Sequence, residues 1–254
     1  MMSSNPLAKK KVHYIPLESD PIIFTELIQA LGVNSLQFHD VLSLEFEDLS
    51  PSGALALPGP VYAFILAFPT TQEYESELRA AKQRARLDGT QYQGSGHDEP
   101  VIWFEQTIGN ACGLYAILHA VSNLGAAGNT HIASGSVLER FLAECIPLDP
   151  VKRAAALEAS QAIADAHRHA AMQGTTAVPD AEDEVDFHYV CFVKSLKDGH
   201  IYELDGDRNG FVDRDTFLDG ERDLLRGGLQ VVKSFTKNGD KQFQLMALVP
   251  TSEQ

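Results

Sequence analysis

The 254-residue chain is poor in cysteine, tryptophan and basic side chains, with three Cys, one Trp and only twenty Lys and Arg. Cys112, Cys145 and Cys191 are odd in number, widely spaced and without a CxxC pair, which excludes a disulfide framework and leaves no zinc-knuckle spacing. At least one thiol is free, so a reducing compartment is expected: the cytoplasm, with the nucleus as an alternative. No run of about 18 apolar residues occurs, and no apolar run precedes Lys9-Lys10-Lys11, so neither a membrane span nor a secretory leader is expected. Thirty-five Asp and Glu against twenty cations give a formal charge of −15. That shortage of cations argues against nucleic acid, whose binding rests on neutralised phosphates, and favours a basic partner. With 44% hydrophobic and 22% charged residues, no internal repeat and no dividing linker, one α+β domain over about residues 12–250 is expected, monomeric by default.

Ile22, Ile23, Leu27, Ile28 and Leu31 recur at helical spacing and end at Gly32, which predicts a helix over 21–31. Leu36-Gln37-Phe38 and residues 61–68 predict strands, the second apolar on both faces and therefore central. Thr70 or Thr71 caps a charged helix reaching about Leu87, and residues 88–100 read as an exposed loop with little to bury. Residues 112–121 are apolar almost all round and predict a buried helix. Further helices are expected over 136–145 and 149–172. A soft, acidic stretch follows from Gln173 to Glu184, then strands over 187–196 and 200–205 and a last strand over 243–249.

In Asn110-Ala111-Cys112-Gly113 a cysteine stands where a loop becomes a helix. First-turn amides lack intrahelical acceptors there and the helix dipole favours a thiolate, so Cys112 is a candidate nucleophile. Gln106 lies in the approaching loop and can return an amide donor beside the sulfur, with the Cys112 N–H as a second, forming an oxyanion hole. Cys145, late in a helix, and Cys191, inside an apolar strand, read as core. For the base, His119 lies two turns or about 10.5 Å along the helix of Cys112, too far to take its proton. His188 opens an apolar strand, a rigid place from which a base from a distant segment can meet the cysteine. His167 and His169 point apart on a helix and share no metal.

Asp205-Gly206-Asp207-Arg208-Asn209-Gly210 matches the start of a calcium-binding loop, but position twelve is Thr216 and the preceding segment alternates like a strand. The same turn can supply the carboxylate that orients a histidine. A tight Asp198-Gly199 loop would pair 188 with 209 and leave Asp207 nearer the ring; one slip in register reverses the parity, so spacing leaves Asp205 and Asp207 both open.

The ordered segments Gln106-Thr107-Ile108-Gly109-Asn110-Ala111-Cys112-Gly113, Asp186-Phe187-His188 and Ile201-Tyr202-Glu203-Leu204-Asp205-Gly206 resemble those of the ubiquitin C-terminal hydrolases, papain-like cysteine deubiquitinases. Pro16-Leu17-Glu18-Ser19-Asp20-Pro21 is similar to the family's N-terminal motif, and the likeness extends over nearly the whole chain, nearest to the short single-domain members. The resemblance implies a papain-like fold with a central antiparallel sheet flanked by helices and a knotted chain, with no cofactor and no metal. It implies Cys112 as nucleophile, His188 as general base and acid, Asp205 as its orienter and Gln106 as oxyanion donor. Ubiquitin, or a related modifier, is the implied partner. Its contacts would fall at Pro16, Leu17, Glu18, Ser19, Asp20 and Pro21, and at Ala171, Met172, Gln173, Gly174, Thr175, Thr176, Ala177 and Val178. Residues 172–185 would cross over the active site and limit what threads through, favouring small or unfolded leaving groups. Two rival functions share features: ubiquitin sequestration without catalysis, which the intact catalytic set disfavours, and papain-like acyl transfer, which the family motifs disfavour.

Overall fold

The computed structural model describes residues 12–124, 128–174, 187–218, 224–236 and 242–251. Helix α1 (Pro21–Leu31) begins where the Asp20 carboxylate accepts the Ile22 N–H at 2.7 Å and Pro21 supplies a helical φ without needing a donor. It ends at Gly32, whose φ of +105° is one that L side chains rarely adopt and whose missing Cβ makes room for Ser136. Strand β1 (Leu36–Asp40) and the short helix α2 (Phe46–Leu49) follow, then β2 (Ala63–Pro69), buried at six of its seven positions. Thr71 caps the charged helix α3 (Gln72–Asp88).

Next come α4 (Cys112–Ser122), the one-turn α5 (Gly128–His131), α6 (Val137–Cys145), α7 (Pro150–Ala159) and α8 (Gln161–Ala171). Strands β3 (Phe187–Lys194), β4 (His200–Leu204) and β5 (Val212–Phe217), helix α9 (Leu225–Thr236) and β6 (Gln244–Pro250) complete the order. The strands form one antiparallel sheet ordered β1-β6-β2-β3-β4-β5. Alternation divides its side chains between two cores. Ile65, Ala67, Tyr189, Cys191, Met246 and Leu248 pack with α1, α4, α6 and α8. Phe64, Leu66, Val190, Phe192 and Leu245 pack with α9. Burial on both faces explains why β2, β3 and β6 read as continuous apolar runs, while edge strand β5 alternates.

Three expectations change. The helix expected over 149–172 is two helices, because Ser160 leaves helical geometry (φ −79°, ψ 91°) between α7 and α8. The loop at 88–100 does bury something: Glu99 is buried, accepts the Tyr92 hydroxyl at 2.6 Å and pairs with the fully buried Arg153. Arg153 also donates to the carbonyls of Cys145 and Ile146, so one guanidinium ties this loop to the end of α6. Finally, the β3–β4 connection is longer than the two-residue Asp198-Gly199 turn. Ser195 N–H donates to His200 O at 2.9 Å, leaving residues 196–199 as the loop. Of the expected crossover, residues 175–185 lie outside the described residues, as do Thr175, Thr176, Ala177 and Val178 of the expected contacts.

Candidate functional site

The site forms at the end of the sheet where β3 begins and β4 ends. Helix α4 delivers Cys112 as its first residue. Asn110 takes a left-handed turn (φ +56°) and Ala111, the N-cap, has no side chain able to cap, so the helix starts beside the half-buried sulfur without a side-chain cap from its N-cap residue. Every residue from Gly113 to Val121 is buried, which holds that end in place. The helix also templates the incoming segment. Asn123 accepts the Ile102 N–H (2.7 Å) and donates to its carbonyl (2.9 Å); His119 Nε2 accepts the Phe104 N–H (3.0 Å); the Tyr115 hydroxyl accepts the Thr107 N–H (3.2 Å). His119 is thus a core histidine, and burial holds it neutral, down to about 4.

That templated segment carries Gln106, which is buried, donates through Nε2 to Ile108 O at 3.1 Å and leaves Oε1 without a partner. The next bond joins it to the aspartate turn: Gln106 N–H donates to Gly206 O at 2.8 Å. A Cβ on Gly206 would stand 2.7 Å from the Gln106 Cβ, so glycine is what permits the approach.

His188 enters β3 opposite Phe68 and is buried. Its Nε2 lies 2.9 Å from Asp205 Oδ1, and the Cys112 thiol is near enough to act on the charge of the same imidazole. Burial opposes the imidazolium, but the Asp205 charge and the nearby sulfur outweigh it and hold His188 well above its ordinary range. Burial likewise opposes the Asp205 carboxylate, and His188, the Asp207 N–H (2.8 Å to Oδ1) and Arg208 overcome it, holding the carboxyl below its ordinary value. Around them, Arg208 Nε stands 3.7 Å from Asp205 Oδ2 and 2.8 Å from Glu203 Oε1, and Arg214 stands 3.0 Å from Glu203 Oε2. The two Glu203 contacts are charge contacts without hydrogen-bond alignment.

The choice between Asp205 and Asp207 turns on the loop. Cys191 pairs with Leu204 and not with residue 206 as the two-residue turn would require, a shift of two positions, so parity is unchanged and the odd residues still share the face of His188. The chain then bends at Asp205: Asp207 N–H returns to its carboxylate and Arg208 N–H to its carbonyl at 3.2 Å. That bend brings the first aspartate onto the ring. The segment before it is strand β4, and its carboxylate is already engaged, which removes the basis for the calcium-loop resemblance.

Of the expected contact residues, Leu17 is buried with its carbonyl accepting the Tyr189 hydroxyl (3.1 Å), and Asp20 caps α1. Gly174 sits against Glu18, so the described parts of the two expected patches adjoin. Ala171 is buried at the end of α8 and Met172 is exposed. His167 is buried, donates to Ile15 O at 2.8 Å and is held by burial at about 4, while burial pushes Cys145 up to about 12 and Cys191 well above its ordinary value. These are core groups. Tyr74 and Arg208 at the aspartate escaped the sequence reading, since each is brought there from a distant or irregular segment. His13, which carried no local signal, pairs with Gly109 beside the Cys112 loop. A cavity of about 940 Å³ lined by Val121, Leu124, Leu142 and Lys197 lies at the other end of α4, away from this arrangement.

Residues 14–237 match the sequence profile of ubiquitin carboxyl-terminal hydrolase, family 1. The chain is 35% identical over 237 residues to ubiquitin carboxyl-terminal hydrolase isozyme L1 of Rattus norvegicus, covering 92% of this chain and 96% of the relative. The Homo sapiens isozyme L1 is 34% identical over 241 residues, with the same coverage. The structure is similar to the Trichinella spiralis UCH37 catalytic domain bound to ubiquitin vinyl methyl ester, with TM-score 0.68 and 24% identity over 97% of this chain and 100% of that one. A profile match over most of the length, joined to these identities and to one shared fold, places the chain in the ubiquitin carboxyl-terminal hydrolases, as a cysteine-type enzyme of that family.

Proposed function

We propose that the chain cleaves the bond after the C-terminal glycine of ubiquitin through Cys112, His188, Asp205 and Gln106. The observation that carries this reading is one buried imidazole bonded to Asp205 Oδ1 at 2.9 Å and influenced by the nearby thiol at the start of a buried helix. Asp205 takes Nε2, which leaves Nδ1 for the sulfur. The Cys112 thiolate attacks the glycine carbonyl, and the C–S bond forms as the carbonyl electrons move onto oxygen. The Cys112 N–H and the second amide hydrogen of Gln106 meet that oxyanion. As the tetrahedral centre collapses, the carbon–nitrogen bond breaks and His188 gives its proton to the leaving amine. Water then loses a proton to His188 and hydrolyses the thioester, releasing ubiquitin and restoring the thiol.

The adjoining Pro16-to-Pro21 and Ala171-to-Gly174 segments, with Glu18 and Asp20 among them, support a groove for ubiquitin's basic tail. A crossover over residues 172–185 would favour small or unfolded leaving groups, and release of a short peptide should then outpace release of a folded protein. The test of the chemistry is ubiquitin carrying an electrophile at its C-terminus. The unmutated chain forms a covalent adduct and Cys112→Ala does not, with hydrolysis falling by as much as about 10⁶-fold. Non-covalent binding without an adduct would instead support the sequestering function.

A further inference from the structure

The second oxygen of Asp205 has a donor that nothing in the chemistry above uses. Thr71 ends the approach to α3 by accepting the Tyr74 N–H on its hydroxyl at 3.1 Å, which fixes the first turn just after Pro69, the end of β2. The turn places the Tyr74 hydroxyl 3.3 Å from Asp205 Oδ2, while Oδ1 holds His188 at 2.9 Å. The same ring packs edge-on against Phe68 at 5.4 Å and lies 6.3 Å from the His188 ring. Phe68 in turn meets His188 edge-on at 5.9 Å. One aromatic side chain thus touches both partners of the buried ion pair, from a helix with no buried residue of its own.

We propose that Tyr74 is a positioning residue for hydrolysis: its hydroxyl holds Asp205 Oδ2 and so keeps Oδ1 directed at His188 Nε2. This rests on the reading of Cys112, His188 and Asp205 as the catalytic set. The groups facing that pair are the Cys112 thiol and His119 from α4, Tyr74 from α3, Glu203 from β4, and Arg208 from the turn, with Arg214 of β5 beyond Glu203. Burial and the Asp205 charge push the Tyr74 phenol far above its ordinary value, so it donates at every working pH. By donating to Oδ2 it draws off part of the charge that Asp205 presents to the imidazole. Without that donor the carboxylate is freer to turn and faces His188 with more of its charge. Turnover then falls while the imidazolium becomes harder to deprotonate.

The experiment compares the full chain with Tyr74→Phe, Tyr74→Ala and Cys112→Ala on ubiquitin bearing a fluorogenic amide at its terminal glycine. Phenylalanine keeps the ring packing and removes only the hydroxyl. Tyr74→Phe should lower kcat about threefold to tenfold, leave KM within about twofold and lower the thermal midpoint by only a few degrees. Its alkaline limb of kcat/KM should move to higher pH, and the His188 imidazole titration followed by NMR should move the same way. A Tyr74→Phe protein with wild-type kcat and an unmoved limb, with only Tyr74→Ala impaired, assigns the residue to packing and overturns the proposal. An inactive wild type, or an active Cys112→Ala, overturns the underlying chemistry instead. The NMR titration still decides Tyr74 in that event, since an unmoved His188 in Tyr74→Phe removes the positioning role without reference to turnover.

Discussion

Helices α3 and α4 approach the same imidazole–carboxylate pair, yet they are held by opposite means. In α4 everything from Gly113 to Val121 is buried and no side chain caps the start. In α3 no residue is buried; a Thr71 cap, a left-handed Gly89 (φ +66°), the Arg79–Glu75 pair at 2.7 Å and the Lys82–Glu105 contact at 3.7 Å hold it. Packing lets α4 start without a side-chain cap at Ala111, the residue that the cysteine follows. A surface helix secured by caps and polar contacts can still place one side chain, Tyr74, against the buried carboxylate. Burial therefore measures how a helix is anchored and not whether it serves the site.

The contrast is sharpest in stability. Leu118→Ala, at a fully buried position of α4, should cost about 2–5 kcal/mol in urea unfolding. A cost under about 1 kcal/mol would show that α4 is not held by packing.

Acidification comes next in size. His119 on α4 and His167 on α8 are held at about 4 by burial, below the 6.5 of an unperturbed histidine. Such a group is neutral when folded and takes a proton when unfolded, so the unfolded chain binds more protons between these values and stability falls as the pH drops through them. His188, raised, works the other way: its contribution is complete below pH 6.5 and is lost as pH rises through its folded value. The lowered Asp205 contributes above 3.8 and loses its effect only as pH falls further. His119 and His167 against the raised His188 give a net loss of roughly 2–3 kcal/mol between pH 7 and pH 5, and His131, also lowered by burial, acts in the same direction. Denaturant midpoints that agree at the two pH values would mean that His119 and His167 are not neutral in the folded chain.

The smallest effect belongs to α3. Leu87, 78% exposed, packs on little, and Leu87→Ala should change stability by no more than about 0.5 kcal/mol. A larger loss would make α3 a packed helix after all and erase the distinction.

What could be read from the sequence follows the range of each signal. Asp20, Thr71, Ser136 and Gly32 mark helix ends through bonds made within a few residues, so those boundaries were legible. Cys112 at a loop-to-helix junction and His188 at the mouth of an apolar strand were legible for the same reason. The Asp205 assignment was not legible from spacing alone, because it depends on a four-residue β3–β4 loop and on a bend made by side chain and backbone together. Tyr74 with Asp205 and Arg153 with Glu99 are 131 and 54 residues apart in the chain. Such pairs leave no periodicity, and the buried Glu99 hid inside a stretch that looked like solvent-facing loop.

Gly206 joins two jobs that chemistry treats as separate. The backbone contact between it and Gln106 means that the turn carrying Asp205, the proposed orienter, and the loop carrying Gln106, the proposed oxyanion donor, are bonded directly, with no room for a side chain at Gly206. If the proposed roles hold, a redesign of the aspartate turn to change the working pH would therefore also shift the Gln106 amide proposed to meet the reacting oxygen. The two properties cannot be adjusted as independent dials while that seam is closed.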